Sequence, residues 1–219
     1  MVCLPKTACL RLREIRYCRE ALDIHGFALP TNHLGAYLGS ELLEPVMEEL
    51  NRGPTLVTIH PTLPRQQLAG AAEELPGPVM EYFFETTRAV VNLMLKGTLR
   101  RYPNVRFVVP HGGAFLTILS DRLIPLAGLL LKDRELDIAG DLARLYYDLA
   151  GFSMSKQFDL LRTMTEDSHL LYESDSPFTF LPVCVRQAEQ MDQKLGDSLD
   201  EQIYQRNPNT LFKEVGLLQ

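Results

Sequence analysis

A chain of 219 residues, 46% of them hydrophobic, is typical of one globular domain rather than of a disordered segment. The formal net charge of −6 and the lack of any lysine or arginine run argue against a nucleic-acid surface, so a small molecule is the expected partner. No stretch approaches the roughly 18 consecutive apolar residues of a membrane span, and membrane association is not expected.

The cysteines and the amino-terminal residues indicate a cytoplasmic protein. Four cysteines, Cys3, Cys9, Cys18 and Cys184, lack CxxC spacing and are expected to be free thiols in a reducing compartment. Pro5 interrupts the first apolar residues, and no small-residue cleavage site follows them. The sequence therefore predicts no signal peptide.

The first half of the chain predicts two helix-then-strand cycles. Apolar residues at helical spacing predict a helix over 12–22, and Gly26 leads into a short strand over 27–29. Ser40 is a candidate N-cap for a second helix that extends to Leu50. The β-branched run at 55–59 then predicts the next strand.

The second half continues the alternation. A loop over 61–78 precedes a long helical stretch to about Arg101, and strands are predicted at 105–109, 145–149 and 169–173. Five strands alternating with helices indicate parallel βαβ units, because parallel neighbours require a crossover connection. The predicted class is α/β, in one domain over 1–219, with no internal repeat.

Three polar residues follow predicted strands, at the positions where parallel α/β folds build active sites. They stand in the segments Ile59-His60-Pro61, Pro110-His111-Gly112-Gly113 and Ser174-Asp175-Ser176-Pro177. Imidazole and carboxylate together suit Zn²⁺ or a similar divalent ion. Taken singly, a histidine after a strand or an aspartate before a helix is more commonly structural, but recurrence on three strands favours a site.

Five ordered segments resemble the aminocarboxymuconate-semialdehyde decarboxylase branch of the amidohydrolase superfamily, especially its 6-methylsalicylate decarboxylase-like members. The segments are GFALPTNHLGAYLG (26–39), VTIHPTLP (57–64), FFETTRAV (83–90), FVVPHGGAFLTILSDR (107–122) and LLYESDSPFT (170–179). The resemblance implies a TIM (β/α) barrel of the metal-dependent hydrolase type. An open parallel α/β sheet remains the alternative that strand count alone allows.

The resemblance also implies roles for individual residues. His60 and Asp175 are similar to the metal-ligating pair, and His111 to the active-site histidine beside the metal-bound water, although in two-metal relatives a histidine there ligates instead. Arg122 is similar to an arginine that reaches a carboxylate, often in the neighbouring subunit's site. One divalent ion is implied, with zinc preferred and manganese or magnesium as alternatives, together with a homodimer or higher homo-oligomer.

Other polar residues have a structural explanation beside the functional one. Asn32 and Tyr37 lie where the family contacts substrate, but capping and packing explain them as well. Glu85 and Arg88, three residues apart on a predicted helix, are best explained as an intrahelical ion pair. For Arg122 alone, a surface salt bridge with Asp121 or Asp133 is the structural alternative, and Asp148 after the fourth strand is left outside the ligand set.

One departure from the family concerns the metal site. The family opens with a strand bearing His-x-His, and nothing here matches it, so we expect a barrel truncated at its N-terminus that represents the carboxy-terminal two thirds. Three explanations stay open: a longer true chain, completion by a partner subunit, or a relative that no longer binds metal.

The sequence thus predicts a metal-dependent nonoxidative decarboxylase of a small aromatic or muconate-like carboxylic acid. The same metal-bound water could instead hydrolyse a cyclic amide or lactone. The alternative from another class is a non-catalytic barrel that serves as a binding or scaffold protein.

Overall fold

The computed structural model describes residues 2–3, 8–66 and 70–218, with side chains from Leu12 onward. The side chains of Cys3 and Cys9 therefore lie outside the described part, whereas Cys18 and Cys184 are free, as predicted. The chain divides into two compact units, Met1–Phe107 with Val215–Leu217, and Val108–Glu214 with Leu218–Gln219.

The first unit alternates strands and helices around parallel pairing. Its strands are β1 (Val2–Cys3), β2 (Gly26–Pro30), β3 (Asn32–His33), β4 (Ala36–Tyr37) and β5 (Thr55–His60), followed by the start of β6 (Val105–Val109). Its helices are α1 (Ala8–Leu22), α2 (Glu44–Leu50), α3 (Glu81–Leu95) and α4 (Thr98–Arg101). β2 pairs in parallel with both β1 and β5, so the predicted strands at 27–29 and 55–59 are confirmed.

The core of the first unit forms where alternate strand residues meet one face of each helix. Phe27, Leu29, Val57 and Ile59 are at most 3% exposed, and buried helical side chains cover them. The main members of that helical set are Ile15, Cys18, Val46, Met47, Leu50, Ala89, Val90, Leu93 and Met94. Parallel strands buried in this way explain why residues 55–59 are all apolar or β-branched.

The second unit has the same organisation. It holds β7 (Tyr146–Asp148), β8 (Leu170–Leu171), α5 (Leu116–Leu130), α6 (Ile138–Ala143), α7 (Lys156–Leu161), α8 (Leu181–Glu201) and α9 (Asn207–Glu214). Val108 and Val109 pair in parallel with Tyr146 and Tyr147, and β7 pairs in parallel with β8. The predicted strands at 105–109 and 145–149 are confirmed, the latter over three residues.

Three local predictions need correction. Ser40 makes no side-chain cap bond, because a 3₁₀ turn at Glu41–Leu43 precedes α2. The long helix to Arg101 breaks at Gly97, whose φ of +65° is left-handed backbone. The strand at 169–173 is reduced to Leu170–Leu171, because His169 ends a 3₁₀ turn.

The parallel α/β class predicted from the sequence is confirmed by these pairings. Within the residues that the structure describes, no helix is both long and apolar enough to cross a bilayer.

Candidate active site

His111 lies in a turn of unusual backbone geometry after β6. Four consecutive residues have positive φ: His111 (+57°), Gly112 (+58°), Gly113 (+79°) and Ala114 (+53°). Glycine adopts this region freely, whereas His111 and Ala114 do so against the steric preference of side-chain-bearing residues. Such strain persists only where the surroundings fix it, and it concentrates at functional sites.

Asp148, at the end of β7, fixes the amino side of this turn. The residue is 2% exposed, and its Oδ1 accepts hydrogen bonds from the backbone N–H of His111 (2.9 Å) and Ala150 (3.2 Å). Although the sequence left Asp148 outside the ligand set, it is a buried anchor for His111. Its buried carboxylate is the kind of group that must be hydrogen-bonded to be tolerated.

Asp148 also interacts with the carboxyl group of Glu173, an exposed residue just after β8. Burial, and then the charge of Glu173, raise the pKa of Asp148 well above its ordinary value. The raised pKa favours the neutral, protonated form of Asp148 in its buried place.

Two residues that sequence reasoning missed complete the surroundings of the turn. Gly151 supports the imidazole, because a Cβ built on it would lie only 2.9 Å from Cδ2 of His111. Gln157, near the start of α7, places its Nε2 within 2.6 Å of the carbonyl oxygen of His111. A glycine soon after a strand could have suggested the first, but no sequence pattern points to Gln157.

His60 is the last residue of β5 and is exposed. Its Nδ1 lies 2.9 Å from the carbonyl oxygen of Pro61, so a proton on Nδ1 would be held there. A backbone carbonyl on one ring nitrogen is the usual partner of a metal-ligating histidine, because it fixes the tautomer with a lone pair on the other nitrogen. The geometry of His60 thus suits the predicted role.

Asp175 lies four residues beyond β8, in a loop that its own contacts stabilise. Its φ is +59°, its Oδ2 accepts a hydrogen bond from Oγ1 of Thr179 (2.8 Å), and its carbonyl accepts from the N–H of Thr179 (2.7 Å). The buried Cys184 thiol donates to the carbonyl of Ser174 at 3.2 Å. The carboxylate is therefore held in one orientation.

A metal ion is held only where several ligand side chains lie close together. His60 belongs to the first unit, whereas His111 and Asp175 belong to the second. Over residues 8–66 and 70–218, no group of three or more His, Cys, Asp or Glu side chains is arranged to hold a metal ion. The described residues supply metal-competent side chains but do not complete a metal site by themselves.

Asn32 and Tyr37, the predicted substrate contacts, face each other across the β3–β4 pair and both bind Glu85 on α3. Asn32 Nδ2 and the Tyr37 hydroxyl each donate to Glu85 Oε2 at 2.8 Å, and Arg88 Nη1 donates to Oε1 at 2.6 Å. Glu85 is fully buried. The expected Glu85–Arg88 ion pair is confirmed, and it forms part of a larger network.

The network affects the Tyr37 phenol. Burial, followed by the hydrogen bond to the Glu85 carboxylate, raises the pKa of Tyr37 to about 12. The phenol is therefore a proton donor to Glu85 throughout the physiological pH range. Its contacts in the structure are those of a structural hydrogen bond, and a substrate role for Tyr37 and Asn32 stays a prediction.

Arg122 lies on α5 and is exposed. In the described part of the chain it makes no ion pair with Asp121 or Asp133, the surface partners considered from the sequence. A planar guanidinium of this kind suits bidentate binding of a carboxylate.

The chain matches a family model described as amidohydrolase over residues 10–213. It is 34% identical over 188 residues to decarboxylase yanB of Aspergillus niger, covering 80% of this chain and 50% of the relative. It is also 34% identical over 176 residues to the 6-methylsalicylic acid decarboxylase acuB of Aspergillus aculeatus, covering 77% and 53%. The chain thus spans about half the length of the curated relatives that it matches.

Solved structures give the same result for the fold. A crystal structure described as amidohydrolase II superposes with a TM-score of 0.91 and 28% identity, covering 96% of this chain and 69% of the other. A dihydroxybenzoic acid decarboxylase from Polaromonas, solved with manganese and an inhibitor, superposes with a TM-score of 0.80 and 18% identity, covering 95% and 66%. These superpositions confirm the predicted amidohydrolase-type fold class.

Proposed function

We propose, from the premise that this chain belongs to the amidohydrolase family, that it takes part in the nonoxidative decarboxylation of a small aromatic carboxylic acid. The observation that carries the proposal is the His111 turn, which is strained and anchored by the buried Asp148. The two curated relatives at 34% identity, both decarboxylases, support this choice of reaction. Because the chain spans about half of their length, the activity is inferred for the protein rather than transferred from them.

His111 is assigned the proton transfer. In decarboxylation the bond between the ring carbon and the carboxylate breaks, carbon dioxide leaves, and the electron pair remains on the ring carbon. A protonated imidazole then delivers a proton to that carbon and becomes neutral. The anchored backbone of His111 gives such a transfer a fixed direction. Holding a reacting group in the correct geometry lowers the activation free energy of the step.

Arg122 is proposed to bind the substrate carboxylate, and Asn32 and Tyr37 are proposed to make further contacts with the substrate. The exposure of Arg122 on α5 and the absence of an ion pair with Asp121 or Asp133 support a role in binding an external carboxylate. Asn32 and Tyr37 would act from the β3–β4 pair, which Glu85 keeps in place. None of these three side chains transfers a proton in the proposed reaction.

A divalent ion is the proposed cofactor, with His60 and Asp175 among its ligands. When bound, such an ion polarises substrate oxygens and stabilises the charge left by the departing carbon dioxide. Zinc was the expectation from donor chemistry, whereas the Polaromonas decarboxylase was solved with manganese. Additional ligands are required beyond those that the described residues bring together.

A cytoplasmic homo-oligomer is proposed as the working form. The free thiols of Cys18 and Cys184 support a reducing compartment. Exposed apolar side chains on α5, among them Ile118, Leu129 and Leu130, support association with a second copy, since such side chains are normally covered. Light scattering on the purified protein measures the assembly.

The test is a metal-reconstituted turnover assay. The protein is loaded separately with Mn²⁺ and Zn²⁺, and carbon dioxide release is measured with 6-methylsalicylate and a dihydroxybenzoate, the substrates in the relatives' names. Release that is lost in His111→Asn and upon chelation is expected. Turnover of a lactone or cyclic amide instead would indicate the hydrolase, and metal binding below a tenth of an equivalent without turnover would indicate a non-catalytic barrel.

A further inference from the structure

Gln157 contacts three carbonyl groups of the His111 turn with one side-chain amide. Its Nε2 lies 2.6 Å from the carbonyl oxygen of His111, 3.1 Å from that of Gly112 and 3.0 Å from that of Ala114. The amide has two N–H groups, so at least one is shared between acceptors. A Cβ on Gly112 would lie 3.1 Å from this amide, so a side chain there would crowd Gln157.

These hydrogen bonds stabilise the strained backbone of the turn. Left-handed backbone is unfavourable at a residue with a side chain, so the conformation of His111 and Ala114 has to be imposed by neighbours. Asp148 binds the N–H of His111 from one side, and Gln157 binds its carbonyl from the other. With Gly151 beneath the ring, the main chain of His111 is fixed on both sides and its imidazole has one supported face.

We propose that Gln157 is a positioning residue that sets the direction of the His111 imidazole, an inference that rests on the proton transfer assigned to His111 under the proposed function. Gln157 touches only the carbonyls of the turn and neither the ring nor a reacting atom. Its effect therefore reaches the reaction through the orientation of His111. Misplacing a reacting group by about 1 Å can reduce a rate by on the order of 100-fold.

Three variants of similar side-chain length separate donation from shape. Gln157→Met keeps the length without a donor, Gln157→Glu replaces the donor by an acceptor, and Gln157→Lys supplies N–H donors on a longer stem. We expect kcat to fall about 10–100-fold in the Met and Glu variants, with KM within about twofold. Gln157→Lys should recover at least part of the loss. The control is Gln193→Met, since Gln193 on α8 is exposed and its side chain makes no hydrogen bond with any residue that the structure describes.

A kcat that is unchanged in Gln157→Met overturns the inference. A second contrary result has two parts: Gln157→Lys fails to recover kcat, and all three variants melt at a lower temperature than the parent protein. That pattern indicates a merely structural role. A rise in KM with constant kcat also overturns it, since it would place Gln157 in substrate binding.

A second measurement does not depend on turnover. Amide hydrogen exchange at Gly113 and Ala114, whose N–H groups bind the carbonyls of Pro110 and His111, should be at least several-fold faster in Gln157→Met and unchanged in Gln193→Met. If exchange is faster in Gln157→Met but the parent protein has no decarboxylase activity, Gln157 still restrains the turn and the proposed function is refuted. Unchanged exchange in an active enzyme refutes the role of Gln157 alone.

Discussion

His111 and Asp175 both occupy left-handed backbone, and each is stabilised there by a different type of neighbour. His111 depends on a buried carboxylate and a side-chain amide from other elements. Asp175 depends on Thr179, four residues further along its own loop. Strain at both positions is consistent with selection for orientation, since neither residue is the glycine that this backbone prefers.

Arg122→Ala tests the carboxylate assignment. We expect kcat/KM to fall about 10–100-fold, because a charge-assisted bidentate contact to substrate is lost, while the free energy of unfolding changes by less than about 0.5 kcal/mol. Steady-state kinetics and urea unfolding measure the two. Arg186→Ala on α8 is the matched control, because Arg186 is exposed and forms no ion pair among residues 8–66 and 70–218. An equal kinetic loss there would contradict the role of Arg122.

Glu85→Gln tests the buried network. Replacing the carboxylate weakens three donors' hydrogen bonds in a water-excluded site, so a loss of about 2–4 kcal/mol in unfolding free energy is expected from urea denaturation. Glu81→Gln lies on the same helix, and the Glu81 side chain makes no hydrogen bond within the described part of the chain, so this variant should change it by less than about 1 kcal/mol. Equal losses in both variants would mean that Glu85 acts through helix charge alone.

At the scale of single residues, the partners of a side chain are harder to predict than its position. His60, His111 and Asp175 were singled out because strand ends carry function in parallel folds, and their roles stay predictions. Glu85 was expected to pair with Arg88 and does, but its bonds to Asn32 and Tyr37 span 53 and 48 residues. Contacts over such separations depend on tertiary packing, which no local spacing rule encodes.

Among the elements, the strands were predicted more accurately than the ends of helices. The residues of β5 are mostly β-branched and favour a strand, so its position was predicted from composition. The break at Gly97 was missed because a single glycine inside a helical pattern is tolerated in many helices. The shortening of the last strand was missed because a 3₁₀ turn occupies the start of the predicted segment.

Gly39, which follows the β3–β4 pair, provides a test at the scale of elements. Its φ is +87°, and a Cβ there would lie 3.1 Å from the backbone carbonyl oxygen of Asn92 on α3. Gly39→Ala should therefore cost about 1–3 kcal/mol through backbone strain and displacement of α3. Gly53→Ala meets no atom within 4 Å and has no positive φ, so it should change stability by less than about 1 kcal/mol. Thermal melts compare the two, and equal shifts would contradict the close approach.

For the molecule as a whole, the comparisons establish the family and the fold class. The resemblance of five segments anticipated both. Over residues 8–66 and 70–218, no three metal-competent side chains form a cluster that could hold an ion. The metal site therefore stays a prediction that rests on the donor chemistry of His60 and Asp175.

The response of folding to acid is a property of the whole first unit, and Glu49 should contribute to it. Burial alone would raise the pKa of Glu49, but hydrogen bonds from Arg16 and Arg52 outweigh it and hold the pKa below its ordinary value. A depressed carboxyl pKa contributes stability above the unfolded value, about 4.3, that is lost as pH falls through the folded value.

We therefore expect Glu49→Gln to be less stable than the parent protein at pH 7, by about 1–3 kcal/mol, since the buried Glu49 side chain loses its charge-assisted hydrogen bonds from two exposed arginines. Urea unfolding from pH 7 to pH 3 should show the two proteins converging as the pH falls below the unfolded value of about 4.3. A constant difference across this range would indicate lost packing rather than lost charge.

The Glu85 network has a consequence for how the first unit loosens. Asn32 and Tyr37 cannot leave their places without breaking hydrogen bonds to a carboxylate that α3 buries. The β3–β4 pair and α3 should thus form one cooperative unit of local unfolding, with an opening free energy close to that of the helix rather than that of a surface loop. The short β3–β4 hairpin, which would be only marginally stable by itself in water, should therefore open as rarely as the core does.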